Sequence, residues 1–195
     1  MVCHEHSCIF IAVPKTGGTS IMHLCGLHLE EIDRGDFANC NVKHRPYKDH
    51  TDRPNYFSFG FVRNPWDWVV SWYFYRKNPP TGLSCITDNI SFRDWLLDTK
   101  GSAYWKPSLG LHYGQHYYLE DERGNIGVDF VGRYESLQDD YSLIKDTLSL
   151  DVEVLPKSNE SKHSHYTSYY DDETCEFVRK RFAKDIKLFG YEYGA

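Results

Sequence analysis

Two stretches of this chain share one layout: a continuous apolar run, a short turn, and the opening of a helix. The first is CIFIAVPKTGGTS, residues 8–20, and the second is YFSFGFVRNPWDWVVSWY, residues 56–73. An apolar run with no polar alternation is the pattern of a strand covered on both faces, as parallel sheets require. After the first run, Ile21, Leu24, Cys25 and His28 recur at helical spacing, so a helix is expected from about Thr19. After the second, Asn64 suits an N-cap and Pro65 the first helical position. Trp66, Val69, Val70 and Tyr73 then form a helical stripe. A chain that twice runs strand, turn, helix is committed to an α/β arrangement.

The rest of the chain extends that reading. ISFRDWLLDTK carries a Ser91-x-x-Asp94 capping pattern and predicts a short helix. GVDFVGRYE, Gly127 to Glu135, reads as a third strand, and SLQDDYSLIKDTLSL as the helix after it. VEVLP, residues 152–156, is a candidate fourth strand. The final helix is expected to be capped by Asp172, to bury Val178, Phe182, Ile186 and Phe189, and to end at Gly190. The expectation is a single domain over residues 1–195: a three-layer α/β sandwich with a mostly parallel central sheet. Ligands of such folds bind at the carboxyl ends of strands, where the Lys15 loop and Arg63 both fall. The two should share one edge of the sheet.

Composition removes several classes of function. The chain has 195 residues, 41% hydrophobic, enough for one sizeable core. A formal net charge of −6 argues against general nucleic-acid binding, which calls for a basic face. An anionic ligand would need a few local positive groups instead. No apolar run approaches the ~20 residues of a membrane span, and MVCHEHSCIFIAVPK lacks the plan of a secretory signal. A soluble, cytoplasmic protein without a membrane anchor is expected. The six cysteines show no paired spacing and read as free thiols. CHEHSC offers two cysteines and two histidines, but no second ligand pair with zinc-type spacing follows, so no metal is expected.

The first loop differs from a Walker phosphate loop, in which the lysine follows the glycines. Here Lys15 comes first, and Gly17, Gly18, Thr19 and Ser20 follow. Unpaired amides and partial positive charge at a helix start bind phosphate or sulfate, and glycines let the backbone curl around the anion. Thr16, Thr19 and Ser20 add hydroxyls, and Lys15 adds a full charge from the strand side. A plain glycine-rich turn with a solvated lysine is the alternative. In the second unit, Arg63 ends the strand where a solvent-facing guanidinium can fork two anion oxygens. Ser71 lies about two turns into that helix, roughly 9 Å along its axis at the standard rise. Taken singly, Arg63 suits a salt bridge and Ser71 a tight helix contact. Together the loops describe two half-sites for a ligand with separated anionic groups.

PKTGGTS, residues 14–20, resembles the 5′-phosphosulfate-binding loop of sulfotransferases that use 3′-phosphoadenosine 5′-phosphosulfate (PAPS). RNPWDWVVSWY, residues 63–73, resembles their 3′-phosphate-binding segment, in which an arginine and a later serine hold the ribose 3′-phosphate. VDFVGRYESLQDDY and the tail LPKSNESKHSHYTSYYDDETCEFVRKRFAKDIKLFGY also look like the small carbohydrate-type members. The resemblance spans nearly the whole chain. It implies a fold related to the P-loop kinases, and transfer of the sulfuryl group of PAPS to an acceptor hydroxyl, of a carbohydrate by analogy. It implies that Lys15 stabilises the leaving group, that Tyr134 lies near the nucleoside, and that Lys162 belongs to a loop closing over the cofactor's phosphate.

The acceptor hydroxyl must lose a proton, and related enzymes place a histidine or glutamate base between the two loops. NCNVKHRPYKDH, residues 39–50, supplies His44, Asp49 and His50. His44 best matches the histidine-containing pattern of the small members, with Asp49 and His50 as alternatives. Tyr134 equally suits core packing, and Lys162 a solvated loop. The aromatic stretch GSAYWKPSLGLHYGQHYY, residues 101–118, could stack Tyr104, Trp105 or Tyr113 on a sugar, or simply pack under a loop. Gln115 and His116 could contact an acceptor. Two rival functions remain open: a P-loop-type nucleotide or small-molecule kinase, and a non-catalytic nucleotide-binding module. The missing G-K-[ST] and the lack of an evident magnesium-binding acidic partner count against the kinase.

Overall fold

The computed structural model describes residues 1–24, 44–50, 55–78, 90–97, 111–151, 154–155 and 163–195. In chain order the elements are β1 (Val2–Cys3), β2 (Cys8–Ile11), α1 (Gly18–Leu24), a 3₁₀ turn (Tyr47–His50), β3 (Phe57–Val62) and α2 (Pro65–Lys77). There follow α3 (Phe92–Leu97), α4 (His116–Leu119), β4 (Phe130–Arg133), α5 (Leu137–Leu148), a second 3₁₀ turn (Tyr166–Tyr169), α6 (Asp172–Arg181) and α7 (Ala183–Phe189). The chain divides into two compact units. One comprises Met1–Arg63 with Gln115–Asn159, and the other Asn64–Gly114 with Glu160–Ala195.

The first unit is a mixed α/β body. Its four strands lie in the order β1-β2-β3-β4, with β2, β3 and β4 parallel and β1 antiparallel to β2. The register brings Phe10 beside Phe59, and Phe59 beside Phe130. Because side chains alternate along a strand, Cys8, Phe10, Phe59 and Phe61 fall on one face. There they meet Ile21 and Met22 of α1, and Tyr141 and Ile144 of α5, in one core. The Phe10 and Phe59 rings stack at 5.3 Å, and Phe59 meets Phe61 edge-on at 6.5 Å. Each such side chain contributes about 1.5–3 kcal/mol of burial. Gly132 on β4 is required by its neighbour, since a Cβ there would run into the Phe61 ring. On the opposite face a Cβ at Gly60 would come within 2.6 Å of Leu119 on α4.

The second unit packs α2, α3, α6 and the residues around Tyr166 about a core of its own. Asn64 caps α2 by accepting from the Trp66 amide, with Pro65 in the first turn. Trp68 and Trp72 are buried along with the expected Trp66, Val69, Val70 and Tyr73, so α2 is covered on more than one side. Ser91 caps α3 through the Asp94 amide. Arg93 on α3 pairs with Asp171 and Glu173.

Four local expectations change. A short antiparallel strand, β1, precedes the first buried run, and the residues of CHEHSC form its hairpin: Cys3 and Cys8 are register partners, both buried. Among the described residues no group of three or more metal-ligating side chains converges. The described part of VEVLP is not a strand; Val154 is exposed, and the Leu155 amide donates to Gln138 Oε1 at 3.0 Å. The last helix is two helices broken at Phe182, whose φ of −111° leaves the helical range while its ring packs edge-on against Trp68 at 5.5 Å. Its cap is Asp171, one residue earlier than expected, in a reciprocal capping box with Thr174. Gly190 ends α7 in the left-handed conformation, as its position predicts. No described helix is long and apolar enough to cross a membrane.

Candidate functional site

The first unit gathers most of the expected site residues at the carboxyl ends of β2 and β3. β2 stops at Ile11, where the Val13 amide turns back onto the Ile11 carbonyl at 2.9 Å. The chain then makes a tight loop. Lys15 takes φ +66° and Gly17 φ +82°. A left-handed residue other than glycine costs about 1–3 kcal/mol and persists only where its surroundings impose it. Here Thr16 supplies part of that constraint: fully buried, its hydroxyl donates to the Val13 carbonyl at 2.9 Å.

Gly17 closes the loop. A Cβ at this position would lie 3.0 Å from Leu137 Cδ2 and 3.4 Å from Tyr134 Cδ2, against the start of α5. The carbonyl of Gly17 accepts from the Ser20 amide at 3.0 Å, which opens α1. The first amides of a helix have no acceptor among its own carbonyls, and at the start of α1 the Ser20 and Ile21 amides turn to the Gly17 carbonyl instead. Gly18 and Thr19 are half-buried and Ser20 is buried, while Lys15 is half-buried on the strand side. This donor set suits a tetrahedral oxyanion such as the sulfate or phosphate half of a phosphosulfate. Thr16 takes part through the shape of the loop, because its hydroxyl proton is already directed to Val13.

Arg63 is buried, with 5% of its surface exposed, rather than facing solvent. Its Nη1 donates to the Lys15 carbonyl at 3.3 Å, and its guanidinium carbon sits 4.0 Å from the centre of the Tyr134 ring. Tyr134 follows β4, where its amide donates to the Val62 carbonyl at 2.7 Å. A cation over an aromatic face gains about 0.5–2 kcal/mol, and stacking also fixes the plane of the guanidinium. The loop after β2, the end of β3 and the residue after β4 are thus joined through one side chain.

His44 lies beside the same strand end. Its Nδ1 is 2.5 Å from the Ala12 carbonyl. A carbonyl oxygen can only accept, so the proton is on Nδ1, and in the neutral ring the lone pair is on Nε2. That is the tautomer a general base needs. Of the alternatives, Asp49 is exposed and His50 is buried within the first 3₁₀ turn. Ser71 is buried on α2, in the second unit. Lys162, Tyr104 and Trp105 lie outside the described residues.

Gln115 has a place that spacing did not reveal. It is fully buried. Its Oε1 accepts from the Arg63 amide at 2.8 Å and its Nε2 donates to the Arg63 carbonyl at 2.7 Å. Both ends of its amide are thereby committed to the protein backbone rather than to an acceptor. A side chain bonding a main chain 52 residues away leaves no periodic trace in the sequence.

Comparison with known proteins identifies a family over nearly the whole chain. The model of the sulfotransferase family matches residues 1–192. The human carbohydrate sulfotransferase 10 is 24% identical over 98% of this chain, and the match covers 66% of that protein's length. An uncharacterized protein of the archaeon Archaeoglobus fulgidus is 30% identical over 57% of this chain and 82% of its own.

Proposed function

Because the chain belongs to the sulfotransferase family, we propose that it moves the sulfuryl group of PAPS to a hydroxyl, with a carbohydrate as acceptor. The observation that supports this reading is the hydrogen bond from Arg63 to the Lys15 carbonyl, which ties the loop after β2 to the end of β3. The carbohydrate acceptor is proposed by analogy with the human carbohydrate sulfotransferase 10. The family also implies the three-layer sandwich and kinase-like loop expected from the sequence.

The donor, when bound, supplies a sulfuryl group on an acidic phosphosulfate bridge, so transfer needs in-line geometry and charge stabilisation more than covalent help. The start of α1, with Gly17, Gly18, Thr19 and Ser20, would hold the 5′ end through backbone and hydroxyl donors. Thr16 would keep that loop in shape. Lys15 would offset the negative charge that grows on the bridging oxygen, a role worth a few kcal/mol. Arg63 would hold the 3′-phosphate, and Tyr134 would keep its guanidinium in plane. The family resemblance assigns Lys162 to the binding of the donor's phosphate. His44 would take the acceptor's proton at Nε2, held in that tautomer by the Ala12 carbonyl.

The test is a panel of hydroxyl-bearing sugars with sulfur-labelled PAPS, run with and without a magnesium chelator. Label appearing in a sugar with magnesium removed supports the reading. Phosphate transfer from ATP that stops on chelation would assign the chain to the kinases instead. Thermal stabilisation by adenosine 3′,5′-bisphosphate, and little by AMP, is expected alongside.

A further inference from the structure

The sheet loses a strand just where Arg63 needs one. β2 ends with Ile11 opposite Gly60, and the chain turns away at Val13. On the other side β4 continues, pairing Arg133 with Val62 and sending the Tyr134 amide to the Val62 carbonyl. Successive residues of a strand turn their polar groups to opposite edges, so the N–H and C=O of Arg63 point to the side that β2 has left. A buried amide and carbonyl without partners there would cost about 1–3 kcal/mol each. Gln115 meets both with one carboxamide, at 2.8 and 2.7 Å. The donor and acceptor pattern admits one orientation only, because the flipped amide would face N–H with N–H and oxygen with oxygen.

We propose that Gln115 is a positioning residue for Arg63, standing in for the missing strand. This rests on the reading of Arg63 as a phosphate ligand. The two-point grip fixes the backbone direction at residue 63. That direction carries the guanidinium to the Lys15 carbonyl and over the Tyr134 ring. Without the grip, the main chain at residue 63 loses these two bonds, and the side chain loses its aim while keeping its charge.

The test uses the full chain carrying Gln115→Glu, with Arg63→Ala and the double variant beside it. Affinity for adenosine 3′,5′-bisphosphate and for AMP is measured by calorimetry from neutral to acid pH, against the wild type at each pH. Gln115→Glu retains the acceptor oxygen but loses the donor at neutral pH. It should bind the bisphosphate about tenfold more weakly while AMP binding changes less than twofold. As the pH falls and the carboxyl protonates, its O–H can donate to the Arg63 carbonyl, and the affinity should recover toward wild type. In the double variant the losses should not add, because both changes act on one interaction.

Equal losses for the two nucleotides, no recovery in acid, or additive losses would each overturn the proposal. Gln115→Met, which keeps the volume and removes both bonds, reads the same ratio if the glutamate variant does not fold. If both unfold, Gln115 is a folding residue and the positioning role is discarded. A failure of Arg63→Ala to discriminate between the nucleotides removes the phosphate reading itself, and the positioning role with it. Discrimination by Arg63→Ala without any by Gln115→Glu removes the positioning role alone.

Discussion

The Nη1 of Arg63 donates to the main-chain carbonyl of Lys15, 3.3 Å away, so beyond the last strand pair the loop after β2 is tied to the end of β3 by a side chain. The guanidinium simultaneously lies 4.0 Å from the centre of the Tyr134 ring. Both contacts depend on a planar group with several donors, which an ammonium does not provide. Arg63→Lys is therefore expected to weaken adenosine 3′,5′-bisphosphate binding by about tenfold or more, nearly as much as Arg63→Ala. Calorimetric titration checks this, and a lysine variant with wild-type affinity would show that charge alone suffices.

Lys15 holds φ +66°, a conformation in which alanine is strained and glycine is not. Exchanging Ala for Gly ordinarily lowers stability, but at this position the order should reverse. Lys15→Gly is expected to be more stable than Lys15→Ala by about 1 kcal/mol, while turnover falls at least a hundredfold in both. Thermal melts and single-turnover assays read the two effects separately.

His44→Ala should reduce turnover by about 10²-fold and leave adenosine 3′,5′-bisphosphate affinity within twofold of wild type, because the ring is proposed to act on the acceptor alone. A matched loss of affinity would show that His44 serves the loop and not the proton transfer.

Gly17→Ala adds a methyl 3.0 Å from Leu137 in a left-handed residue. Loss of about 1–3 kcal/mol in chemical denaturation is expected, with the start of α5 displaced. Gly18→Ala, whose added Cβ would meet only the far edge of Phe10 at 3.7 Å, should be much milder.

The Asp171 carboxyl is held down to about 2 by its hydrogen bonds from the Thr174 amide and hydroxyl, with Arg93 adding to the effect. Its folded value lies below the unfolded one, near 3.8, so its stabilising contribution is complete above that value. The contribution fades as pH falls toward about 2. Asp171→Asn keeps a capping oxygen without the titration. Its stability should decline less steeply than that of the wild type between those two values, as measured by urea denaturation at successive pH.

Elements defined by local pattern were readable in advance. The unbroken apolar runs marked β2 and β3, and Asn64-Pro65, Ser91 and Gly190 marked helix ends through their own backbone chemistry. Position 171 was missed by one residue because two aspartates stand side by side and either could cap. β1 escaped notice because two residues are too few for alternation to register. The break at Phe182 has no proline or glycine to announce it, and arises where a buried ring meets Trp68.

The anion loop was legible as a motif, but the linkages within it were not. Thr16 turning to Val13, His44 to Ala12 and Gln115 to Arg63 all pair a side chain with a main-chain group. Main-chain groups are the same at every position, so such partners carry no residue-type signal. Only the folded path of the chain selects them.

The left-handed turn at residue 15 has a practical use. Asparagine adopts that conformation more readily than most residues with a Cβ, so Lys15→Asn should leave the loop's contour intact while removing the ammonium. Such a slow variant would hold donor and acceptor together long enough for cross-linking. Mass spectrometry of the captured adduct could then identify a sugar that no trial panel happened to contain.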